Sequence, residues 1–498
     1  MKTNHALSIV AGILLASAVS SAQAGEYQFR HYISGLKPAP ASVPEEPSEP
    51  EISWELGAAD LPKAVTEKAY SYSFADLLTP TGLSGLEWAS AGLPTWASLD
   101  QQTGLLSGTP SNADIGNASF GVYVAQGDKS AQQAFTIEVA GQYLSVTQIA
   151  TGQYHTCAVT TDGAAKCWGF NNHGQLGNET TVNSQNPVQV KGLETGVKSI
   201  AVQTYHTCAV TVSGAAKCWG SNEEGQLGNR LTADSSIPVQ VTGLSSGVTN
   251  IGIGYNFTCA INSSGAVLCW GRNGNGQLGN GSRQNSLSPV FPTGLASGVR
   301  SLSVGSAHAC AVTQSGSAKC WGAGAAGRLG NGYTNDQTSP VQVSGLTSGV
   351  SSIAVGAANA CAITTAGAVK CWGNNTYGAV GDGTTTDRTS PVSVYGLSSG
   401  VKSIDVGSHI GCAITTAGAA KCWGWNYYGQ IGDGTKTSAF KPITVTGFAS
   451  GADSISADRT SCLVTTSGLP KCWGYNGFSS IGDGTNTNRL TPVDVLAN

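Results

Sequence analysis

Residues 157–169 read CAVTTDGAAKCWG, and closely similar stretches return six more times before the C-terminus. Each copy carries two cysteines ten positions apart: Cys157 with Cys167, Cys208 with Cys218, Cys259 with Cys269, Cys310 with Cys320, Cys361 with Cys371, Cys412 with Cys422 and Cys462 with Cys472. These pairs use all fourteen cysteines of the chain. Between them, CAVTT and AAKCW flank Asp162-Gly163, a turn signal that joins two short strands. A two-residue loop would set Cys157 opposite Trp168, whereas the three-residue loop Thr161 to Gly163, with the glycine at positive φ, sets it opposite Cys167. The second is chosen, because directly opposed residues in a non-hydrogen-bonded antiparallel pair lie within disulfide reach. Each repeat is therefore expected to hold its own cross-strand bridge. Zinc is disfavoured, since its thiolate pairs are usually separated by two to four residues and these by nine.

Such bridges need an oxidising compartment. Lys2 precedes an apolar run from Ala6 to Val19, and Ala22-Gln23-Ala24 offers small residues at a cleavage position. Residues 1–24 read as a secretory signal peptide cut before Gly25. The run is too short for a membrane span, so no membrane insertion is expected after cleavage. The net charge is −4 and only 11% of residues are charged, which excludes the basic footprint of a nucleic-acid binder. The 67 glycines favour short strands and tight turns.

Residues 25–50 form a Pro/Glu-rich linker ending in the run PAPASVPEEPSEPE. Residues 51–140 lack cysteine and show strand alternations such as YSYSF and FGVYVA. Their stretch GLPTWASLDQQTGLLSGTP resembles the immunoglobulin-like, cadherin-like domains of bacterial surface proteins, with Leu-Pro, Thr-Gly and Ser-Gly-Thr-Pro in that order. The resemblance implies a small β-sandwich acting as a spacer. Calcium-dependent relatives carry an acidic cluster where this chain reads FADLLTPTGLSG, so calcium is not expected.

From residue 143 to 498 the repeats take over, with first cysteines 51 residues apart five times and 50 apart once. The missing residue lies between Pro442 and Cys462, where SISADRTSC replaces patterns such as SIDVGSHIGC. Each unit reads as four strands, in the first unit SVTQIA, HTCAVTT, AAKCWG and NPVQV. Four-stranded repeats bury their faces only against neighbours, which predicts an all-β, seven-bladed β-propeller. The units, for example GQYHTCAVTTDGAAKCWGFNNHGQLG, resemble repeats of the regulator of chromosome condensation family. The resemblance implies the propeller ring. It does not carry over nucleotide exchange on a small GTPase, because the cysteine pairs and the leader point outside the cell. Secreted bacterial propellers of the superfamily include β-lactamase inhibitors, which implies that one propeller face can serve as a protein-binding surface.

Repeated positions do structural work in every unit, so function is sought where units differ. The Trp-Gly pairs and Gln-Leu-Gly turns are assigned to the core and the loops. The residue after Trp-Gly varies: Phe170, Ser221, Arg272, Ala323, Asn374, Trp425 and Tyr475. Its aromatics belong to units one, six and seven, neighbours only in a closed ring, and Tyr427, Tyr428 and Phe478 lie in the adjacent loops with His173. Phe170, Trp425, Tyr427, Tyr428, Tyr475 and Phe478 are the candidate binding residues, either anchoring a protein or stacking on sugar rings. Packing of a loose closure seam is the alternative reading of the same residues. A second variable column holds His155, His206 and His308; structural hydrogen bonding is preferred there over metal ligation. No nucleophile elbow, zinc helix or phosphate loop occurs. The expectation is an exported, non-enzymatic scaffold for an unidentified protein partner, with a glycan as the alternative ligand, a hydrolase or lyase less favoured, and no cofactor.

Overall fold

The computed structural model describes residues 53–54, 61–79, 83–111, 114–127 and 129–497. The expected signal peptide and linker lie outside them. The chain divides between Ala140 and Gly141 into two compact units.

In the first unit a four-stranded sheet orders Ala64–Val65, Lys129–Ala140, Gly116–Gln126 and Glu87–Ala91. A three-stranded sheet orders Tyr70–Ser73, Leu105–Gly108 and Ala97–Leu99. Phe74, Trp88, Leu106, Phe120, Phe135 and Ile137 form the buried core of this β-sandwich. Its Thr-Gly motif has a physical cause. Asp100 accepts hydrogen bonds from the N–H groups of Gln102 and Thr103 at 2.9 and 2.8 Å, closing a turn. Gly104 then sits at φ +67°, where a Cβ would lie 2.5 Å from the Trp88 indole.

The second unit is a seven-bladed propeller of four-stranded antiparallel sheets. Blade 1 comprises Val146–Thr151, His155–Thr160, Ala165–Gly169 and Ser184–Gln189, in that order from the central channel outward. The other six blades repeat this order of four consecutive strands. Within the first hairpin Cys157 faces Cys167, and Thr160 N–H bonds to Ala164 O across the loop Thr161 to Gly163. The same register sets Cys208 opposite Cys218, Cys259 opposite Cys269 and Cys310 opposite Cys320. It likewise sets Cys361 opposite Cys371, Cys412 opposite Cys422 and Cys462 opposite Cys472. All seven pairs are bridged within their own blade, with Cα atoms 4.0–4.1 Å apart, and no described cysteine is free.

One tie joins every blade to the next. Each Trp of the Trp-Gly pairs is fully buried, and its indole Nε1 donates to a backbone carbonyl in the preceding blade's glycine turn. Trp219 donates to Gln175, Trp270 to Gln226, Trp321 to Gln277, Trp372 to Arg328, Trp423 to Ala379 and Trp473 to Gln430, at 2.8–3.0 Å. Trp168 closes the circle on Ser480 at 2.9 Å. The adjoining turn glycine is fixed by the same ring: at Gly177, φ +70°, a Cβ would lie 2.7 Å from Trp219 Nε1. Beneath each indole an apolar cluster spans two blades, as Cys157, Leu176, Val190, Val197, Ile200 and Trp219 do between blades 1 and 2.

The seam between blades 7 and 1 is built like the other junctions. Leu144, Val146 and Trp168 pack with Cys462, Ile481 and Val495. Tyr143 bridges Leu496, flanked by Leu144 N–H to Val495 O at 3.1 Å and Ala497 N–H to Gln142 O at 2.6 Å. The terminal segments thus clasp along a short strap, and each blade draws its four strands from one continuous stretch.

The histidine column adds ties between blades. His155 Nε2 lies 2.8 Å from Thr207 Oγ1, and His206 Nε2 2.9 Å from Thr258 Oγ1. Each threonine hydroxyl donates to the carbonyl that also receives the indole, Gln175 or Gln226, so it accepts from the Nε2–H of a neutral imidazole. His308 departs from the expectation. The next blade has Ala360 in place of threonine, and neither ring nitrogen of His308 finds a partner. Burial pushes His155 and His206 down to about 3, the former helped by the proximity of His206.

These ties rank in strength. By the loop-closure relation, replacing Cys208 and Cys218 together by alanine removes at most about 3 kcal/mol. Trp219→Ala, which empties a packed site and breaks the link between blades 1 and 2, costs about 3–5 kcal/mol. Urea midpoints will therefore fall further for the tryptophan variant; the reverse order would assign the ring's cohesion to the bridges. Because the histidine pKa values are depressed on folding, the neutral form favours the native state. Their contribution is complete above about pH 6.5 and is lost as pH falls toward 3, at up to ~1.4 kcal/mol per unit for each ring. His206→Phe, copying the buried Phe257 of blade 3, should reduce proton uptake on unfolding between pH 6 and pH 4 by about one; an unchanged uptake would contradict the assignment.

Candidate functional site

In a four-stranded meander the first and third connections emerge at one end of the sheet, the second at the other. One face of the propeller is accordingly built from the short loops before the histidine column and the long loops after Trp-Gly. The two sets are joined by backbone bonds such as Phe170 N–H to Tyr154 O at 3.0 Å. The long loops are held by the asparagine of Trp-Gly-x-Asn. In blade 1 Asn171 Oδ1 accepts from Leu176 N–H at 2.8 Å, and Nδ2 donates to the carbonyls of Thr180 and Val182, both at 3.0 Å. Asn222, Asn273, Asn375, Asn426 and Asn476 repeat the device, while blade 4 has Gly324 instead. The Gly-Asp-Gly-Thr aspartates serve the same loops: Asp382 accepts from Thr384 N–H at 2.9 Å and pairs with Arg388.

On this frame all six candidate aromatics fall into one chain of ring contacts. Phe170 lies 4.9 Å from Phe478 across the seam, and Phe478 lies 6.2 Å from Tyr475. Tyr475 meets Tyr428 at 4.9 Å, Tyr428 meets Trp425 at 5.3 Å, and Tyr427 stacks on Trp425 at 6.2 Å with planes 12° apart. The chain extends beyond them. Tyr377 contacts Trp425 at one end, and at the other Tyr154 contacts Phe478, Tyr205 contacts Tyr154 and Tyr255 contacts Tyr205. Rings from blades 5, 6, 7, 1, 2 and 3 thus form an arc that breaks at blade 4, where Ala307, Ala323 and Ala325 occupy the corresponding loops. Tyr427 is 63% exposed, Tyr377 40% and Tyr255 39%, while the other members are half-buried.

The seam alternative accounts for part of this. Phe170, Tyr154 and Phe478 do pack across the closure, but beneath them the junction already has its tryptophan tie and apolar cluster. Trp425 and Tyr427 lie a blade away and seal nothing. Sequence reading missed Tyr154, Tyr205, Tyr255 and Tyr377. The first two lie in a column just before the histidines, Tyr154, Tyr205, Asn256, Ala307, Ala358, His409 and Arg459, which differs from unit to unit as much as the column that was chosen. The same criterion applied one position over would have found them.

Inside the arc lies the channel mouth. The channel, about 290 Å³, is lined by the inner strands of all seven blades. Asp405 and Asp458 stand in its wall, and burial raises both above the usual carboxylate range, Asp405 to about 6. Each is engaged by backbone: Asp405 accepts from Ala457 N–H at 2.8 Å and Asp458 from Arg459 N–H at 2.8 Å. Ser303 and Ser456 make the equivalent bonds to the next inner strand, at Val355 N–H and Thr151 N–H, so Asp405 also ties neighbouring blades. Among the described residues no three His, Cys, Asp or Glu side chains gather as a metal site.

Comparison with known proteins agrees with this architecture. The RCC1-like domain family matches residues 97–362, RCC1 repeats match 350–379, 401–430 and 366–414, and an Ig domain family matches 53–140. The Arabidopsis thaliana ultraviolet-B receptor UVR8 is 31% identical over 316 residues, 62% of this chain and 71% of the receptor. Human E3 ubiquitin-protein ligase HERC2 is 32% identical over 316 residues, 61% of this chain but only 6% of the ligase. The crystal structure of Prp20p from Saccharomyces cerevisiae superposes with a TM-score of 0.58 at 20% identity, covering 71% of this chain and 87% of Prp20p. Seven tryptophan-linked blades of one repeat type, and a match across more than half its length, place this chain in the RCC1-like domain family.

Proposed function

We propose that the protein is an exported, non-enzymatic scaffold that recognises another protein through the aromatic face of its propeller. The observation that carries this reading is the continuous arc of rings around one mouth of the channel, with Tyr427 and Tyr377 projecting into solvent. Large aromatics held by their neighbours lose little freedom on binding and supply the contact area typical of interface anchors. Phe170, Trp425, Tyr427, Tyr428, Tyr475 and Phe478 act as those anchors. One relative lends support in kind: Prp20p, the yeast RCC1, was described with its binding properties to Gsp1p and histones and was crystallised with Kap60. Export is supported by seven disulfides, which persist in oxidising compartments, together with the N-terminal leader. Among the described residues no helix is long and apolar enough to cross a membrane. The immunoglobulin-like unit serves as the spacer that presents the ring.

The test is affinity capture from the envelope and medium of the source organism, followed by titration of the purified partner. Trp425→Ala and Tyr427→Ala should each weaken binding at least tenfold, by about 1.4 kcal/mol or more. Val212→Ala, 73% exposed on a hairpin tip of the opposite face, should leave it unchanged. A partner retained at full affinity by the double variant, Trp425→Ala with Tyr427→Ala, would overturn the reading, and specific binding on a glycan array lost in Trp425→Ala would replace it with a lectin.

A further inference from the structure

The mouth inside the aromatic arc carries two guanidinium groups that make no ion pair with a described residue. Arg459 stands in blade 7 where blade 1 has Tyr154, in a loop one residue shorter than its counterparts. Its guanidinium carbon lies 5.4 Å from the centre of the Tyr154 ring, and Nη1 reaches Tyr154 Oη at 3.3 Å. Its Nε is buried with no acceptor. Arg328 stands in blade 4 where Gln175, Gln226, Gln277 and Gln430 stand in other blades. Half-buried, it donates only to the carbonyls of Ala325 and Ala357, at 2.9 and 3.3 Å. Neither arginine makes an ion pair with any described residue, unlike Arg283, Arg388 and Arg489 on the same face. His409, at φ +66°, feels both: its desolvation and the two guanidiniums hold its pKa below the ordinary value.

The nearby carboxylates, Asp336 beside Arg328 and Asp458 beside Arg459, act on the arginines through space but form no ion pair with them. Asp336 is taken up by Arg283, Asn275 and Gly324 N–H. Asp405 is held by Ala457 N–H, and Asp458, which feels the charge of Arg459, is engaged by the N–H groups of Ser408 and Arg459, while the Arg459 guanidinium itself lies over the Tyr154 ring. A partly desolvated guanidinium left with spare donors is costly, and the acceptor that suits its planar fork is a carboxylate. The aromatic rim supplies apolar contact on the side of blades 5, 6, 7 and 1, and the channel is small, at the low end of ligand pockets. Those dimensions suit side chains presented by a protein segment.

We propose that the channel mouth between Arg328 and Arg459 receives carboxylate side chains from an acidic segment of the partner protein, with the aromatic arc packing around that segment. This rests on the reading of the face as a protein-binding surface and names the chemistry of what binds there.

The experiment titrates the full-length exported chain with acetyl-Tyr-Glu-Glu-Glu-Tyr-amide and with its glutamine counterpart at low salt. The glutamate peptide should bind at least tenfold more tightly, and its affinity should fall as sodium chloride rises. Arg459→Gln and Arg328→Gln should each lose at least fivefold, with Arg459→Lys and Arg328→Lys used if a glutamine variant melts below wild type. Equal binding of the two peptides, no binding of either at millimolar concentration, or wild-type affinity in both arginine variants would overturn the proposal. So would competition by a sulfated heparin octasaccharide at lower concentration than the glutamate peptide, which would assign the mouth to an anionic polysaccharide. The two readings separate in the same titration. Binding that survives Trp425→Ala and Tyr427→Ala but not Arg459→Gln removes the aromatic reading; the reverse pattern removes the carboxylate site and leaves the aromatic face standing.

Discussion

The bond from each indole N–H to a carbonyl of the preceding blade is the contact on which the ring depends. A buried indole must place its one donor, and a glycine turn must place the carbonyl it exposes; each solves the other's problem at a junction between separate four-stranded sheets. The turn needs glycine because the ring lies flush against it, as at Gly177. At two junctions a threonine of the same blade as the indole donates to the same carbonyl and takes a histidine N–H from the blade before, so a short hydrogen-bond relay runs between the two sheets. The disulfides act at another level, holding second and third strands together inside a blade.

A fold joined in this way leaves its loops free to differ. The Asn171-type clamp fixes the path of six of the seven long loops from within, so the residue after Trp-Gly and its neighbours can vary from blade to blade. Blades 5, 6, 7 and 1 have filled those positions with rings, blades 2 and 3 carry polar and charged groups such as Glu224 and Arg272, and blade 4 has become small. The same face therefore offers an apolar arc, a polar sector and a gap, with two guanidiniums that make no ion pair at the channel mouth. An asymmetric surface on a nearly symmetric frame is suited to recognising one partner in one orientation.

Much of this was legible in sequence because the relevant physics is local. The ten-residue cysteine spacing and the Asp-Gly turn set the hairpin register, and Cys157 does face Cys167, as Cys208 faces Cys218 in the next blade. Period and count predicted seven blades, and the aromatics of units one, six and seven do meet. Arg459 and Arg328 went unnoticed because a lone arginine in a loop says nothing until its surroundings show that it makes no ion pair. His308 read like His155, yet what distinguishes them is a residue in the next blade, Ala360 in place of Thr207.

The sequence by itself determined the blade: strand order, cross-strand pairing, the turn glycines and the identity of the repeating core, all consequences of neighbours within one repeat. Only the tertiary structure decided how the ring closes, which variable side chains touch, and which charges are left without a counterpart. Those properties arise between residues more than 300 positions apart, such as Thr151 and Ser456 or Tyr154 and Arg459, each pair separated by 305. They depend on rotation about a common axis, and no spacing along the chain encodes that rotation.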